Sequence, residues 1–157
     1  MDSKELFEVN KKAVFAVMEE VMKRLGASRL AVTGVYSGSG DEGGVEDVTV
    51  EAWKDDQRIE LGLEHFPSVE ETFVQSDFDP GRKAWVEHAP ETRTVSIQVA
   101  VERLTEDAID IAGHRGYEIN DGGHGEFTLS VSAGEEPTAY LKHHDYYVDE
   151  TASEHTL

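Results

Sequence analysis

Tyr36–Val50 reads YSGSGDEGGVEDVTV. Gly38, Gly40, Gly43 and Gly44 crowd around Asp41, Glu42, Glu46 and Asp47, and the stretch ends in a period-two alternation. That alternation is the mark of a strand with one buried face. Before it, RLAVTGVYS is rich in β-branched residues, so the glycine-rich segment reads as the tip between two strands. A phosphate loop would need a lysine and a following helix, and neither is present. A calcium loop needs carboxylates at alternate positions with a glutamate at the twelfth, and this spacing does not occur. Gly43 and Gly44 are therefore expected to turn the chain into the second strand, with the carboxylates on the surface.

Upstream, Asp2 and Glu5 form a capping-box pattern. Phe7, Val14, Val17, Met18, Val21 and Leu25 then recur at helical spacing up to Gly26, predicting a helix over about 4–25. Downstream, RIELGLE reads as a third strand. Residues 66–92 hold Pro67, Pro80 and Pro90 and read as an irregular insert, with a turn at FDPGRK and a short strand at KAWVEH. The segment from Val95 alternates like a strand, yet Ile97, Val101, Leu104, Ala108 and Ile111 form a helical stripe. A helix from a Ser96 cap to Ala112 is the better reading. GEFTLSVSA and TAYLKHHDYYV form a last hairpin around GEEP.

The opening stretch then recurs in weaker form. GGVEDVTV and GGHGEFTL match Asp47 with Glu126, Val48 with Phe127 and Thr49 with Thr128. The expectation is a single α+β domain over 1–157. It would be an antiparallel sheet with two helices on one face, built as a helix–strand–strand pseudo-repeat of units about 4–53 and 94–148.

The formal net charge is −19. It is unevenly distributed. Residues 2–26 carry five acids and five bases, whereas 41–79 carry thirteen acids against Lys54 and Arg58. Such a field repels nucleic acid and anionic membrane, and attracts cations and basic proteins. No cysteine is present, which removes disulfides and thiolate chemistry. The opening residues, MDSKELFE, are acidic and helical rather than leader-like, so cytoplasmic residence is the expectation. No cofactor motif is found.

Three groups of residues are candidates for function. Asp55, Asp56, Glu60, Glu64, Glu70, Glu71, Asp77 and Asp79, with Phe78 and Trp85 as aromatic anchors, would form a surface for a basic protein, a nucleic-acid-binding effector among them. Asp41, Asp47, His124 and Glu126 would form a divalent-metal hydrolytic site if the two glycine tips met. His143 and Asp145 share one strand face, and His144 points to the other. His114, just past a helix end, suits the negative end of the dipole. The acidic binding surface is the leading reading, with the metal-dependent hydrolase as its rival. Oligomeric state stays open, a homodimer included.

Tyr36, Gly38, Gly40, Asp41 and Gly43, then Tyr117, Glu118, Asn120, Gly125, Glu126, Phe127 and Thr128, together with the SEHTL end, resemble a family of small proteins of bacterial, plasmid and phage genomes. That family has no assigned reaction. The resemblance implies a mobile-element setting, where defence and counter-defence proteins are common.

Overall fold

The computed structural model describes residues 1–39, 42–114, 122–145 and 151–157. Asp41 and Tyr117 lie outside that set.

Helix α1 runs Ser3–Leu25. The Asp2 side chain accepts a hydrogen bond from the Glu5 amide, and Gly26 closes the helix in the left-handed region at φ 65°. Strands β1 (Arg29–Ser39), β2 (Glu42–Lys54) and β3 (Gln57–Ile59) follow. After a short 3-10 turn come β4 (Val69–Phe73), β5 (Ser76–Asp79), β6 (Ala84–Glu87) and β7 (Glu91–Val95). Helix α2 (Ile97–Ile111) leads to β8 (Gly123–Ser132), β9 (Thr138–Asp145) and β10 (Thr151–Thr156). Ser96 caps α2, its hydroxyl accepting from the Val99 amide. The stripe of Ile97, Val101, Leu104 and Ala108 is buried, so the helical period prevails over the strand-like alternation.

The main sheet has the order β10-β9-β8-β1-β2-β3, with every pair antiparallel. Read outward from its centre, each half is a helix followed by three strands. The α+β class is that of the sequence reading, and each helix–strand–strand unit is extended by a third strand, β3 beyond residue 53 and β10 beyond residue 148. β10 takes in residues 153–156 of the SEHTL end.

Both helices cover one face. Leu30, Val32, Val48, Ala52, Phe127, Leu129, Val131 and Leu141 point from the sheet into a core shared with Phe7, Val14, Met18, Val21, Val101 and Leu104. Burying each large apolar side chain is worth about 1.5–3 kcal/mol. The opposite face carries Thr33, Thr49, Thr128, Ser130 and Lys142, as a sheet with one solvated side requires.

The resemblance between GGVEDVTV and GGHGEFTL has a cause other than the repeat. β2 and β8 both flank β1. Val35 pairs with Asp47 on one side and Glu126 on the other, Gly34 with Val48 and Phe127, and Thr33 with Thr49 and Thr128. The two segments look alike because they meet the same strand residue for residue. In the pseudo-symmetry itself β8 corresponds to β1.

Two further expectations need correction. Residues 66–92 are not irregular; β4 with β7 and β5 with β6 form two small two-stranded sheets. The Asn10 side chain docks β4 on α1, its amide donating to the Thr72 carbonyl at 3.0 Å and accepting from the Thr72 amide at 2.8 Å. Gly44 lies within β2 with open space where a Cβ would be, and neither Gly43 nor Gly44 is at positive φ, whereas Gly122, where the matching GGHGEFTL segment begins, is at 84°.

Candidate functional site

The acidic surface is mostly where the composition places it. Asp55 and Asp56 sit at the β2–β3 turn, and Glu60, Glu64, Glu70 and Asp77 are exposed. Some are engaged locally. Glu70 accepts from the Thr94 hydroxyl at 2.6 Å, Asp77 faces His88 Nε2 at 2.5 Å, and Asp79 accepts from the Gly81 amide at 2.9 Å. Glu71 does not belong to this surface. It is 4 % exposed, takes two hydrogen bonds from Arg93 across the β4–β7 ladder, and pairs with Arg103 of α2. A buried carboxylate needs such partners, and having them leaves it unavailable to another protein.

The β5–β6 hairpin carries the unusual feature of this surface. Trp85 is 72 % exposed and Phe78 51 %. They are cross-strand partners with ring centroids 5.8 Å apart in an edge-to-face arrangement. Asp77, Asp79 and Glu87 flank them.

A cleft of about 330 Å³ beside Glu71 is lined by Asn10, Arg93, Arg103 and Asp107, among others. Burial, then the neighbouring Glu106, Glu71 and Asp110, push the Asp107 carboxyl up from 3.8 to about 6, against the pull of Arg103.

On the helix-covered face, β9 alternates Leu141, His143 and Asp145 inward, and β10 places Ser153 opposite His143. His143 is fully buried. Its Nδ1 lies 2.6 Å from Tyr36 Oη and its Nε2 2.8 Å from Asp145 Oδ1. Tyr36 and His143 sit on either side of Gly125 in one row across β1, β8 and β9. A Cβ on Gly125 would lie 2.5 Å from Tyr36 Oη, so the glycine is what lets the tyrosine reach the histidine. A Cβ on Gly123 would press on the His143 ring at 3.1 Å.

The end of α2 brings a further histidine. Gly113 at φ 84° reverses the chain, and the His114 amide bonds back to the Ile109 carbonyl at 2.9 Å. The His114 ring stacks on His143 at 4.0 Å between centroids. Its Nε2 lies 2.9 Å from His155 Nε2 and 3.0 Å from Ser153 Oγ. Burial and the adjacent His143 and His155 hold the His114 pKa below its usual value.

Of the expected metal constellation, Asp41 lies outside the described residues. Asp47 and Glu126 flank Val35 on the solvated face, and His124 stacks on His144 there at 4.9 Å. Among the described residues, the group whose donor atoms come within 4.8 Å of one another is His114, His143 and Asp145. The shared face of His143 and Asp145 was legible from period two. The approach of His114 and the whole of β10 with His155 were not, because an inward pair of Ser153 and His155 carries no apolar alternation. A second signal lay in Gly123 and Gly125, small residues at alternate positions beneath large polar rings.

Fold and sites together define a two-helix α+β protein with an exposed aromatic hairpin and a histidine cluster around the buried His143. Residues 6–157 match the family described as a family of unknown function, DUF6878, and the chain belongs to it. No match was found among curated proteins or among solved structures. Among the described residues, no helix is long and apolar enough to cross a membrane.

Proposed function

We propose that this is a non-enzymatic acidic binding protein of the cytoplasm, of mobile-element or phage type, that occupies the basic nucleic-acid channel of a DNA- or RNA-handling protein. The carrying observation is the exposed Trp85–Phe78 pair on a hairpin flanked by carboxylates. An aromatic pair that contributes little to its own core, at the end of a segment of net charge −11 over residues 41–79 (thirteen acids less two bases) that includes Phe78, suits a partner with a basic rim and an apolar pocket. Asp55, Asp56, Glu60, Glu64, Glu70, Asp77 and Asp79 supply steering, standing in for duplex phosphates. Individually such charges are worth little, at most about 1 kcal/mol each. Together they raise the association rate, and the Trp85 anchor slows release.

The test compares capture from a bacterial lysate by wild type and by Trp85→Ser, each with and without competing duplex DNA. The reading expects basic partners that are displaced by the duplex and by salt, and that are lost or strongly reduced with Trp85→Ser. Partners indifferent to both the duplex and Trp85→Ser would overturn it. With a purified partner, neutralising Asp55, Asp56, Glu60 and Glu64 together should lower the association rate about tenfold or more at low salt and leave release nearly unchanged.

A further inference from the structure

The geometry points to a zinc-class metal site, independent of the acidic hairpin, formed by His114 Nε2, His143 Nε2, Asp145 Oδ1 and His155 Nε2. Three parts of the chain converge there: the turn after α2, two positions of β9, and β10. His143 and Asp145 bring their donors to 2.8 Å, and His114 and His155 theirs to 2.9 Å. Donors held about 2.0–2.1 Å from one tetrahedral ion are roughly 3.3 Å apart. His114, His143 and Asp145 bring their donors within 4.8 Å of one another, and His155 joins this group through His114, so the four close on one ion only with rearrangement of their side chains.

Three features mark a built site rather than a chance gathering of histidines. His143 is fully buried, and its second nitrogen is held by Tyr36 Oη at 2.6 Å. With the ring proton on Nδ1 donating to that oxygen, the Nε2 lone pair faces the other donors. This is the outer-shell orientation that metal-bound histidines ordinarily have. Gly123 and Gly125 leave room for the His143 and Tyr36 rings, and a methyl group at either position would collide with them or with the β9 backbone. Finally, the stacked His124–His144 pair lies on the opposite face of the same two strands and does not contribute.

The donor set selects the metal. Three imidazoles and one carboxylate suit Zn²⁺ and its neighbours Co²⁺ and Ni²⁺, whereas Ca²⁺ and Mg²⁺ take oxygen ligands. Four protein donors close the coordination shell, so the ion serves structure. It ties β10 and the end of α2 to β9, in a chain that has no disulfide to do so.

The experiment uses the untagged full chain, stripped with EDTA and titrated with Zn²⁺ and with Co²⁺. The expected result is one ion per chain at about micromolar affinity or tighter, the intense visible absorption of four-coordinate Co²⁺, and a raised thermal midpoint. His114→Ala and His155→Ala should each weaken binding by at least about tenfold, and Tyr36→Phe by about tenfold through the lost outer-shell contact. The double variant His124→Ala/His144→Ala should bind as wild type does. The inference is overturned if wild type takes up no stoichiometric ion, if Co²⁺ gives only a weak six-coordinate spectrum, or if uptake persists in His114→Ala and His155→Ala. Loss of uptake only in the His124/His144 variant would also overturn it. Because the stoichiometry and Co²⁺ spectrum are read on wild type, a variant that fails to fold does not spare the proposal.

Discussion

Gly125 and Gly44 separate two reasons for a glycine in a strand. At Gly125 the Cβ of an alanine would lie 2.7 Å from Tyr36 Cζ and would also meet the Lys142 carbonyl oxygen, which is backbone and cannot rotate aside. At Gly44 nothing lies within 4 Å. Gly125→Ala should therefore cost about 2–3 kcal/mol, and Gly44→Ala less than about 0.5 kcal/mol. Urea midpoints of the two variants measure this; equal costs would mean that the Tyr36–His143 row is not close-packed. Asp107 gives the residue-scale pH dependence. Its folded pKa of about 6 stands above the ordinary 3.8, so the native state holds the proton more tightly than the unfolded chain. The stabilisation is complete below about pH 4 and is lost as pH rises through about 6. Asp107→Asn should thus gain stability at about pH 7.5 and little at about pH 4. Asp107 is exposed by its accessible surface, so solvent screens the effect and the gain is at most about 1 kcal/mol rather than the full value of the shift. A gain of the same size at both pH values would show that desolvated charge is not its source.

At the scale of elements, what was legible in the sequence followed from periodicity and caps. Asp2, Gly26 and Ser96 mark helix ends by satisfying or reversing the terminal backbone groups, and each does so in the structure. Elements with polar or very short inward rows were not legible. β10 turns Ser153 and His155 inward, and β4, with Val69 as its buried apolar residue, is held to α1 by the Asn10 amide and to β7 and α2 by Glu71 between Arg93 and Arg103. Charge composition alone cannot distinguish Glu71 from Glu70, since only the fold turns one inward and the other out. The β5–β6 hairpin was half legible, its turn from FDPGRK and its strand from AWVE. Because Trp85 is 72 % exposed, Trp85→Ser should shift the urea midpoint of the whole domain by less than about 0.5 kcal/mol. Loss of the edge-to-face contact with Phe78, about 0.5–1.5 kcal/mol, should instead appear as faster amide exchange within the hairpin. A large fall in the global midpoint would place Trp85 in the fold rather than in binding.

Across the whole molecule, pseudo-symmetry and charge are independent. The core and its two helices fix the fold, while the net charge of −19 sits mainly on what surrounds them. The ion pairs are largely exposed, the Glu71 carboxylate between Arg93 and Arg103 being a buried exception, so salt has little attraction to weaken. It has much repulsion to relieve. Going from about 10 mM to about 1 M NaCl shortens the screening length from about 30 Å to about 3 Å, enough to decouple most of the surplus carboxylates. At neutral pH the thermal midpoint should therefore rise with NaCl, by at least the 2–4 °C or so that about 1 kcal/mol produces in a domain of this size. Near pH 4.6, the isoelectric point, net repulsion is absent and the same salt should produce almost no rise. Calorimetric scans at both pH values, each at low and high salt, decide the matter. A rise of equal size at the two pH values would trace the effect to salt exclusion from the surface, and self-repulsion would then not be what limits the stability of this acidic chain.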